Sequence, residues 1–397
     1  EANRFNRNKK FFSNHPATKE IFTRNDREWK AGDLFFQKDL SETLSRIAIN
    51  GRDGFYKGIT AKLIVEEMNK VDGWITYEDL DNYVSKYREP IIGTYNDYDI
   101  ISMGPPSSGG ILIIHMLNML DELEANLKSP LDLSFNSSDY IHLLTEIERR
   151  AYADRAEHLG DDDFWDVPKK MLLSKSYAAE RIKSINLNHS TNSNDIKHGI
   201  KMIDESEETT HYSIVDKDGN AVSVTTTINS GYGSGITVSG AGFILNNEMD
   251  DFSSKPGVPN LFGLIGNEAN AIEPKKRPLS SMSPTIVLKN SKPFLILGTP
   301  GGSTIITTVL QNILNVVIHD MNIKEAVSAP RFHSQWLPDI LYYEKNALTK
   351  KLILNLKSRG HNLKQRENIG EANGIMINES GFWGGADSRG ENSAIGY

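Results

Sequence analysis

Two places in this chain join residue types and spacing that could do chemistry. The first is Thr209-Thr210-His211-Tyr212-Ser213, which follows Glu207-Glu208 and opens a β-branched run. A threonine hydroxyl is a weak nucleophile at neutral pH, and His211 is the only nearby group that could serve it as a base. Cutting the Glu208–Thr209 peptide bond would supply another, because the freed α-amine of Thr209 lies beside its own hydroxyl and can take its proton. The plainer alternative is that Thr209 and Thr210 only begin an edge strand, a common use of β-branched residues. The second place is Gly301-Gly302-Ser303, ahead of an apolar helical run. Two residues without Cβ at a helix start let backbone amides approach a developing negative oxygen, although a simple helix-start turn would need glycine equally.

Two other motifs are read as structure. Gly104-Pro105-Pro106-Ser107-Ser108-Gly109-Gly110 could cradle an anion, but the phosphate-loop spacing and its lysine are missing, so a tight strand-to-helix turn is expected. Asp161-Asp162-Asp163 could suggest a metal, yet three consecutive acids are expected to point apart and form a solvated loop. No metal is expected.

The elements that must position these residues fall into two textures. Upstream, apolar periodicity predicts helices over roughly 40–51, 63–73, 111–123 and 138–157, with Thr76 to Asp79 as a helix start and a hairpin over 90–103 turning at Asn96-Asp97. In the 138–157 helix, Ile141, Leu144, Ile147 and Ala151 form the apolar stripe, with Glu146, Glu148, Arg149 and Arg150 off it. A short helix near 176–185 precedes a polar tract from Asn188 to Glu208, expected to be a mobile linker because it has too little apolar surface to order itself. Downstream, strands over 211–216 and 221–227 flank Lys217-Asp218-Gly219-Asn220, a strong hairpin signal. Further strands are expected at 242–245, 285–289, 293–298 and 374–378, with helices over 303–319 and 323–329. Strands bracketing helices give mixed layers.

Composition excludes several classes. The chain has 397 residues, a formal net charge of -8 and no cysteine, which removes disulfides, thiolate metal sites and a cysteine nucleophile. The one tight basic cluster, Lys275-Lys276-Arg277, is too small for a nucleic-acid face. No apolar run is long enough to span a bilayer. The first residues lack the apolar middle of a signal peptide and an initiator Met, so the chain is expected to begin inside a longer gene product.

Thr209-Thr210-His211-Tyr212-Ser213 with Asp218-Gly219-Asn220 resembles the start of the small subunit of γ-glutamyltransferases, members of the N-terminal nucleophile hydrolase superfamily. The likeness continues through Leu245 to Phe252, Lys276 to Pro284, Pro300-Gly301-Gly302-Ser303 and Ala329-Pro330-Arg331-Phe332-His333. Upstream, Phe55-Tyr56-Lys57-Gly58, the 105–110 loop and Tyr152-Ala153-Asp154-Arg155 resemble the large subunit. The resemblance implies an α+β fold, a four-layer αββα sandwich. Residues 1–208 would be the C-terminal portion of the large subunit and 209–397 the small catalytic subunit, the two forming one intertwined domain and a heterodimer cut from one precursor.

By the same resemblance Thr209 is the nucleophile, first of self-cleavage between Glu208 and Thr209 and then of γ-glutamyl transfer from glutathione-like donors. Thr227 tunes it, and alternation along the strand lets Thr227 face the site while Thr226 does not. Asn229, Glu248 and Asp251 hold the α-amino end of the substrate, and Ser280 and Ser281 its α-carboxylate. Gly301 and Gly302 form the oxyanion hole, and Phe262 sits in the lid over 256–266. No cofactor is implied, and a periplasmic or secreted location is. Two departures stand out: Glu248 occupies a position where many relatives carry Gln, and Thr304 one where many carry Arg. The family's large subunit also has a further N-terminal portion holding an Arg that clamps the α-carboxylate, and this chain starts after it. Rival readings on the same fold are poly-γ-glutamate or acyl-lactam hydrolysis or transfer, and a non-catalytic amino-acid-binding relative.

Overall fold

Asn96 and Gly219 turn the chain back at positive φ, 49° and 84°, where their short or absent side chains tolerate the left-handed region. These turns make two of the hairpins from which the strands are assembled. The computed structural model describes residues 1–126, 131–196, 209–253, 255, 257–258, 260 and 264–396. They divide into one unit of Glu1–Tyr87 with Ile228–Asn247 and another of Arg88–Thr227 with Glu248–Tyr397.

The second unit holds the strands. In chain order these are β1 (Ile91–Tyr95), β2 (Tyr98–Ser102), β3 (Thr210–Val215), β4 (Ala221–Thr226), β5 (Thr285–Lys289), β6 (Lys292–Gly298), β7 (Phe332–His333), β8 (Leu341–Glu344), β9 (Leu363–Arg366), β10 (Asn373–Asn378) and β11 (Gly381–Ala386). A six-stranded sheet runs β1-β2-β5-β6-β10-β11, β3 pairs with β4, and β7-β8-β9 form a third sheet. Register sets the faces of the large sheet. Gly93, Ile100, Val287 and Leu295 lie opposite one another across β1, β2, β5 and β6, and Ile114 of the Gly109–Asn126 helix lies against Gly93. Gly298, on the opposite face, meets His211 of β3. The β3–β4 hairpin therefore covers one face of the sheet and helices the other, in an α+β arrangement. The hairpin's outward residues Tyr212, Ile214 and Val222 are about half exposed.

The Gly109–Asn126 helix is apolar nearly all round and buried from Gly109 to Leu120, as expected of a helix enclosed between a sheet and other helices. Ser138–His158 packs on it, capped by the Ser137 side chain accepting from Tyr140 N. Glu146, Glu148, Arg149 and Arg150 lie off the apolar stripe yet are fully buried, because each has an ionic or hydrogen-bonded partner inside. The acidic run differs from expectation. Ligand oxygens of Asp161, Asp162 and Asp163 lie within 4.8 Å of one another, converging on the guanidinium of Arg88 at 2.8–3.0 Å, and Asp161 is buried. The opposite charge draws together acids that would otherwise repel.

The first part of the expected linker is tied down rather than free: Ser193 and Ile196 are buried. Its remainder, 197–208, lies outside the described residues. In the first unit, helices Lys38–Asn50 and Gly58–Lys70 and the Thr76–Asp79 capping box occur as expected. The strand expected at 242–245 does not. Gly240 and Gly242 take positive φ of 74° and 78°, and the segment turns, leaving one bridge between Thr237 and Ile244.

Candidate active site

The β3–β4 register, Thr210 opposite Thr226 and His211 opposite Thr225, puts Thr209, His211 and Ser213 on one face with Thr227, Thr225 and Ser223. That face looks at the large sheet and is a ladder of hydroxyls. Thr209 Oγ1 and Thr227 Oγ1 are hydrogen-bonded at 3.3 Å. His211 shares Nδ1 with Thr225 Oγ1 at 2.9 Å and Nε2 with Ser213 Oγ at 3.1 Å. Ser223 Oγ donates to Leu297 O at 3.1 Å. With both ring nitrogens engaged elsewhere, His211 is a structural strut and not the base for Thr209.

Burial pushes the His211 imidazole down to about 4. A histidine whose folded value lies below its unfolded value contributes stability above the unfolded value of about 6.5, lost as pH falls toward 4. Melting temperature is expected to drop across that window, and His211→Gln to drop less steeply; equal slopes would show that His211 does not titrate with unfolding.

His211 also fixes where Thr209 sits. A Cβ on Gly298 would come within 2.3 Å of His211 Nδ1, so only glycine lets the hairpin approach this closely. Ser213's partner Ser223 reaches Leu297 while His211 reaches Gly298. Moving back along β3 toward Thr209 thus moves forward along β6, in the direction of Pro300-Gly301-Gly302. Gly298→Ala is expected to cost about 1–3 kcal/mol through overpacking, read by denaturant unfolding.

Beyond β6 the chain turns through Gly301 at φ 136° and Gly302 at φ 54° into the helix Thr304–Val317. Gly301 O accepts from Thr304 N (3.0 Å) and Thr304 Oγ1 (2.7 Å). Thr304 thus pins the Gly301 carbonyl into the helix start. Ser303 is buried, its Oγ bonded to Gln335 Oε1 and its carbonyl to Tyr152 OH.

Four of the remaining sequence candidates, Glu248, Asp251, Ser280 and Ser281, gather around the buried Arg155. Glu248 and Asp251 share one 3-10 turn and a side-chain hydrogen bond. Burial first, then the neighbouring Glu248 charge, pushes the Asp251 carboxyl up to about 8, with Arg155 opposing. Asp251 Oδ1 is buried with no hydrogen-bond partner among the described residues. Arg155 donates through Nε to Ser108 Oγ at 3.0 Å and through Nη2 to Ser281 Oγ at 3.4 Å. Ser280 bridges to the 104–110 loop, its N donating to Pro106 O and its carbonyl accepting from Ser108 N and Oγ. Asn270, buried, links the two loops by donating to Asp251 O (2.7 Å) and accepting from Leu279 N (3.0 Å). Asn229 belongs to the other unit, where it is buried at φ 73° and donates to Asn247 O. Phe262 and Glu208 lie outside the described residues.

The profile of the family described as Gamma-glutamyltranspeptidase matches residues 1–397. The chain belongs to the γ-glutamyltranspeptidase family. Among its relatives, the glutathione hydrolase proenzyme of Escherichia coli (strain K12) is 47% identical over 377 residues, covering 95% of this chain. The glutathione hydrolase proenzyme of Pseudomonas aeruginosa is 44% identical over 364 residues, covering 91%. The chain spans 64% of the length of each of these two relatives. The crystal structure of cephalosporin acylase from Bacillus halodurans superposes on all of this chain and 70% of its own, with a TM-score of 0.81 at 23% identity. That likeness is one of fold.

For a γ-glutamyltranspeptidase family member, the residues that sequence reasoning missed are Arg155 as a partner of Ser281, and Asn270. Arg155 lies in a motif that was noticed, Tyr152 to Arg155, but nothing in the spacing says that it reaches Ser281 across the fold. Asn270 carries no local signal at all.

Proposed function

We propose that this chain is the catalytic part of a γ-glutamyltransferase and glutathione hydrolase that cuts itself before Thr209. The observation that carries the reading is the Thr209–Thr227 hydroxyl contact on the hairpin face turned to the large sheet. In self-cleavage Thr209 Oγ1 attacks the Glu208 carbonyl carbon, the peptide nitrogen leaves as the α-amine, and water hydrolyses the resulting ester. In turnover that α-amine takes the Oγ1 proton, and Oγ1 attacks the γ-carbonyl carbon of the donor. Amides at Gly301–Gly302 stabilise the tetrahedral oxyanion, and the donor's amine leaves with the proton. Water or an amine acceptor then takes the γ-glutamyl group from the threonine ester.

The donor's ammonium finds its acceptors at Asp251, whose Oδ1 has no hydrogen-bond partner among the described residues, and at Glu248; Asn229 is assigned to this end by the family resemblance alone. Its carboxylate meets Ser280 and Ser281, backed by Arg155. All groups in this scheme come from the chain, so it calls on no cofactor. The fragments before and after residue 209 remain together as a heterodimer. The family resemblance supports a periplasmic or secreted location, and no described helix is long and apolar enough to cross a membrane.

The test is a denaturing gel with N-terminal sequencing, followed by turnover of a γ-glutamyl-anilide beside poly-γ-glutamate and an acyl-lactam. A smaller band beginning at Thr209 and turnover of the anilide are expected. A single uncleaved band, or preference for the lactam, overturns the reading.

Glu248→Gln gives a finer test. Removing the neighbouring charge takes away one cause of the raised Asp251 value, so Asp251 stays ionised to lower pH. The acid limb of kcat/KM for the donor is expected to shift to lower pH; an unmoved limb shows that Asp251 does not bind the ammonium.

A further inference from the structure

The turn proposed to meet the oxyanion is held by a buried set of side chains that the scheme above does not use. Gly301 O accepts from Thr304 N at 3.0 Å and Gly302 O from Ile305 N at 3.2 Å, so both carbonyls point into the helix Thr304–Val317. In a trans peptide the N–H lies opposite the C=O. Gly302 N–H and Ser303 N–H are therefore aimed away from the helix end. Ser303 joins this turn to the helix, and its backbone angles set where the turn faces.

Ser303 departs from the habit of a serine at a helix start. Thr76, Ser137, Ser174, Asn322 and Thr349 precede helices with extended backbone, ψ between 139° and 170°, and each side chain accepts an amide of the first turn. Ser303 is helical, with φ -61° and ψ -28°, and makes no such cap. Its Oγ donates instead to Gln335 Oε1 at 2.5 Å, and its carbonyl accepts from Tyr152 OH. Gln335 is buried, and its Oε1 also meets His333 Nε2 at 2.9 Å. An amide oxygen only accepts, so His333 carries its proton on Nε2 and takes the Thr307 hydroxyl at Nδ1, 2.8 Å away. Burial pushes this imidazole down to about 3, which keeps it neutral in that tautomer. The Gln335 oxygen is thereby fixed on Ser303.

We infer that Gln335 is a positioning residue for the oxyanion turn: by holding Ser303 Oγ it keeps Ser303 helical, out of the extended capping pose, and so keeps the amides of the turn aimed outward. This rests on the reading above that these amides stabilise the oxyanion. Without the Gln335 acceptor the Ser303 hydroxyl has a local alternative, the first-turn amides of its own helix, and such a cap is about as favourable as the bond it replaces. Capping requires Ser303 ψ to become extended. That rotation swings the Gly301–Gly302 peptide about the helix end and breaks the bonds from Thr304 N and Ile305 N that aim its carbonyls.

The experiment compares Gln335→Met, Ser303→Ala and the double variant, with kcat and KM for a γ-glutamyl-anilide taken per mole of the fragment beginning at Thr209. Counting that fragment removes the contribution of any chain that fails to fold or to cleave. Gln335→Met deletes the acceptor and leaves Ser303 its hydroxyl, so kcat is expected to fall about tenfold, the scale of one hydrogen bond, with KM little changed. Ser303→Ala has no hydroxyl with which to cap and is expected to lose about twofold. Adding Ser303→Ala to Gln335→Met removes the competing cap, and kcat is expected to recover to within about twofold of Ser303→Ala alone. A general structural role gives the opposite result, a double variant at least as slow as Gln335→Met. An unchanged kcat in Gln335→Met overturns the inference, as does a double variant without recovery or a tenfold loss in Ser303→Ala. If Gln335→Met yields no folded enzyme, the double variant decides by the same comparison with Ser303→Ala. Failure of the oxyanion reading itself looks different, because Gly301→Ala then leaves kcat unchanged whatever Gln335 does.

Discussion

Thr209→Ala is expected to leave a single 44.4 kDa band on a denaturing gel and to abolish turnover of a γ-glutamyl-anilide by at least about four orders of magnitude. In the proposed scheme one hydroxyl serves both reactions, so both are expected to fail together. Thr209→Ser keeps the hydroxyl and is expected to cleave and turn over, more slowly. Thr227→Val keeps the shape of the neighbour and removes its hydroxyl, which holds Thr209 Oγ1 at 3.3 Å. A neutral hydrogen bond is worth about 0.5–1.5 kcal/mol, so a roughly tenfold loss at most is expected there. The two scales separate a nucleophile from a group that orients it. If Thr209→Ala still produced the smaller band, cleavage would come from another protease or another residue, and the assignment would fall.

The parts of this site that could be read from sequence are those whose signals are local. A β-branched run after a polar tract and an Asp-Gly turn dictate the β3–β4 hairpin, and once the register is fixed, alternation alone brings Thr227 opposite Thr209. The glycine pair ahead of an apolar helix is equally local. What could not be read are the contacts that close over long sequence distances. Arg155 meets Ser281, Asn270 ties the Asp251 turn to Leu279, and Arg88 collects three aspartates more than seventy residues away. The burial of the charged residues on the Ser138–His158 helix could not be read either, because periodicity reports apolar stripes and is blind to buried pairing. Gly381–Ala386 reads poorly as a strand, with three of its residues glycine, and forms one because β10 offers it a ladder. The expected strand at 242–245 failed for the converse reason, since two glycines at positive φ turn the chain before any partner can pair with it.

Gly301→Ala is expected to be severe while leaving every proposed catalytic side chain in place. At φ 136° an L residue is strained whatever space surrounds it, and its Cβ would stand 2.5 Å from Thr304 Oγ1 and 3.3 Å from the Gly370 Cα. Relief requires Thr304 to release the Gly301 carbonyl, which it holds at 2.7 Å, or the turn to rotate. Either movement re-aims the amides at the start of the Thr304–Val317 helix, the groups proposed to meet the oxyanion. Loss of one such donor typically lowers kcat by a hundred- to a thousandfold, about 2.7–4 kcal/mol of transition-state stabilisation. That range is expected for kcat with KM little changed, because the ground-state carbonyl makes weaker use of these donors than the tetrahedral oxyanion does. The proposed self-cleavage would pass through an oxyanion too, formed on the Glu208 carbonyl. A fall in both rates would mean that one hole serves both reactions. A fall in turnover alone would place the cleavage oxyanion on other donors, and an unchanged kcat would remove Gly301 from the site.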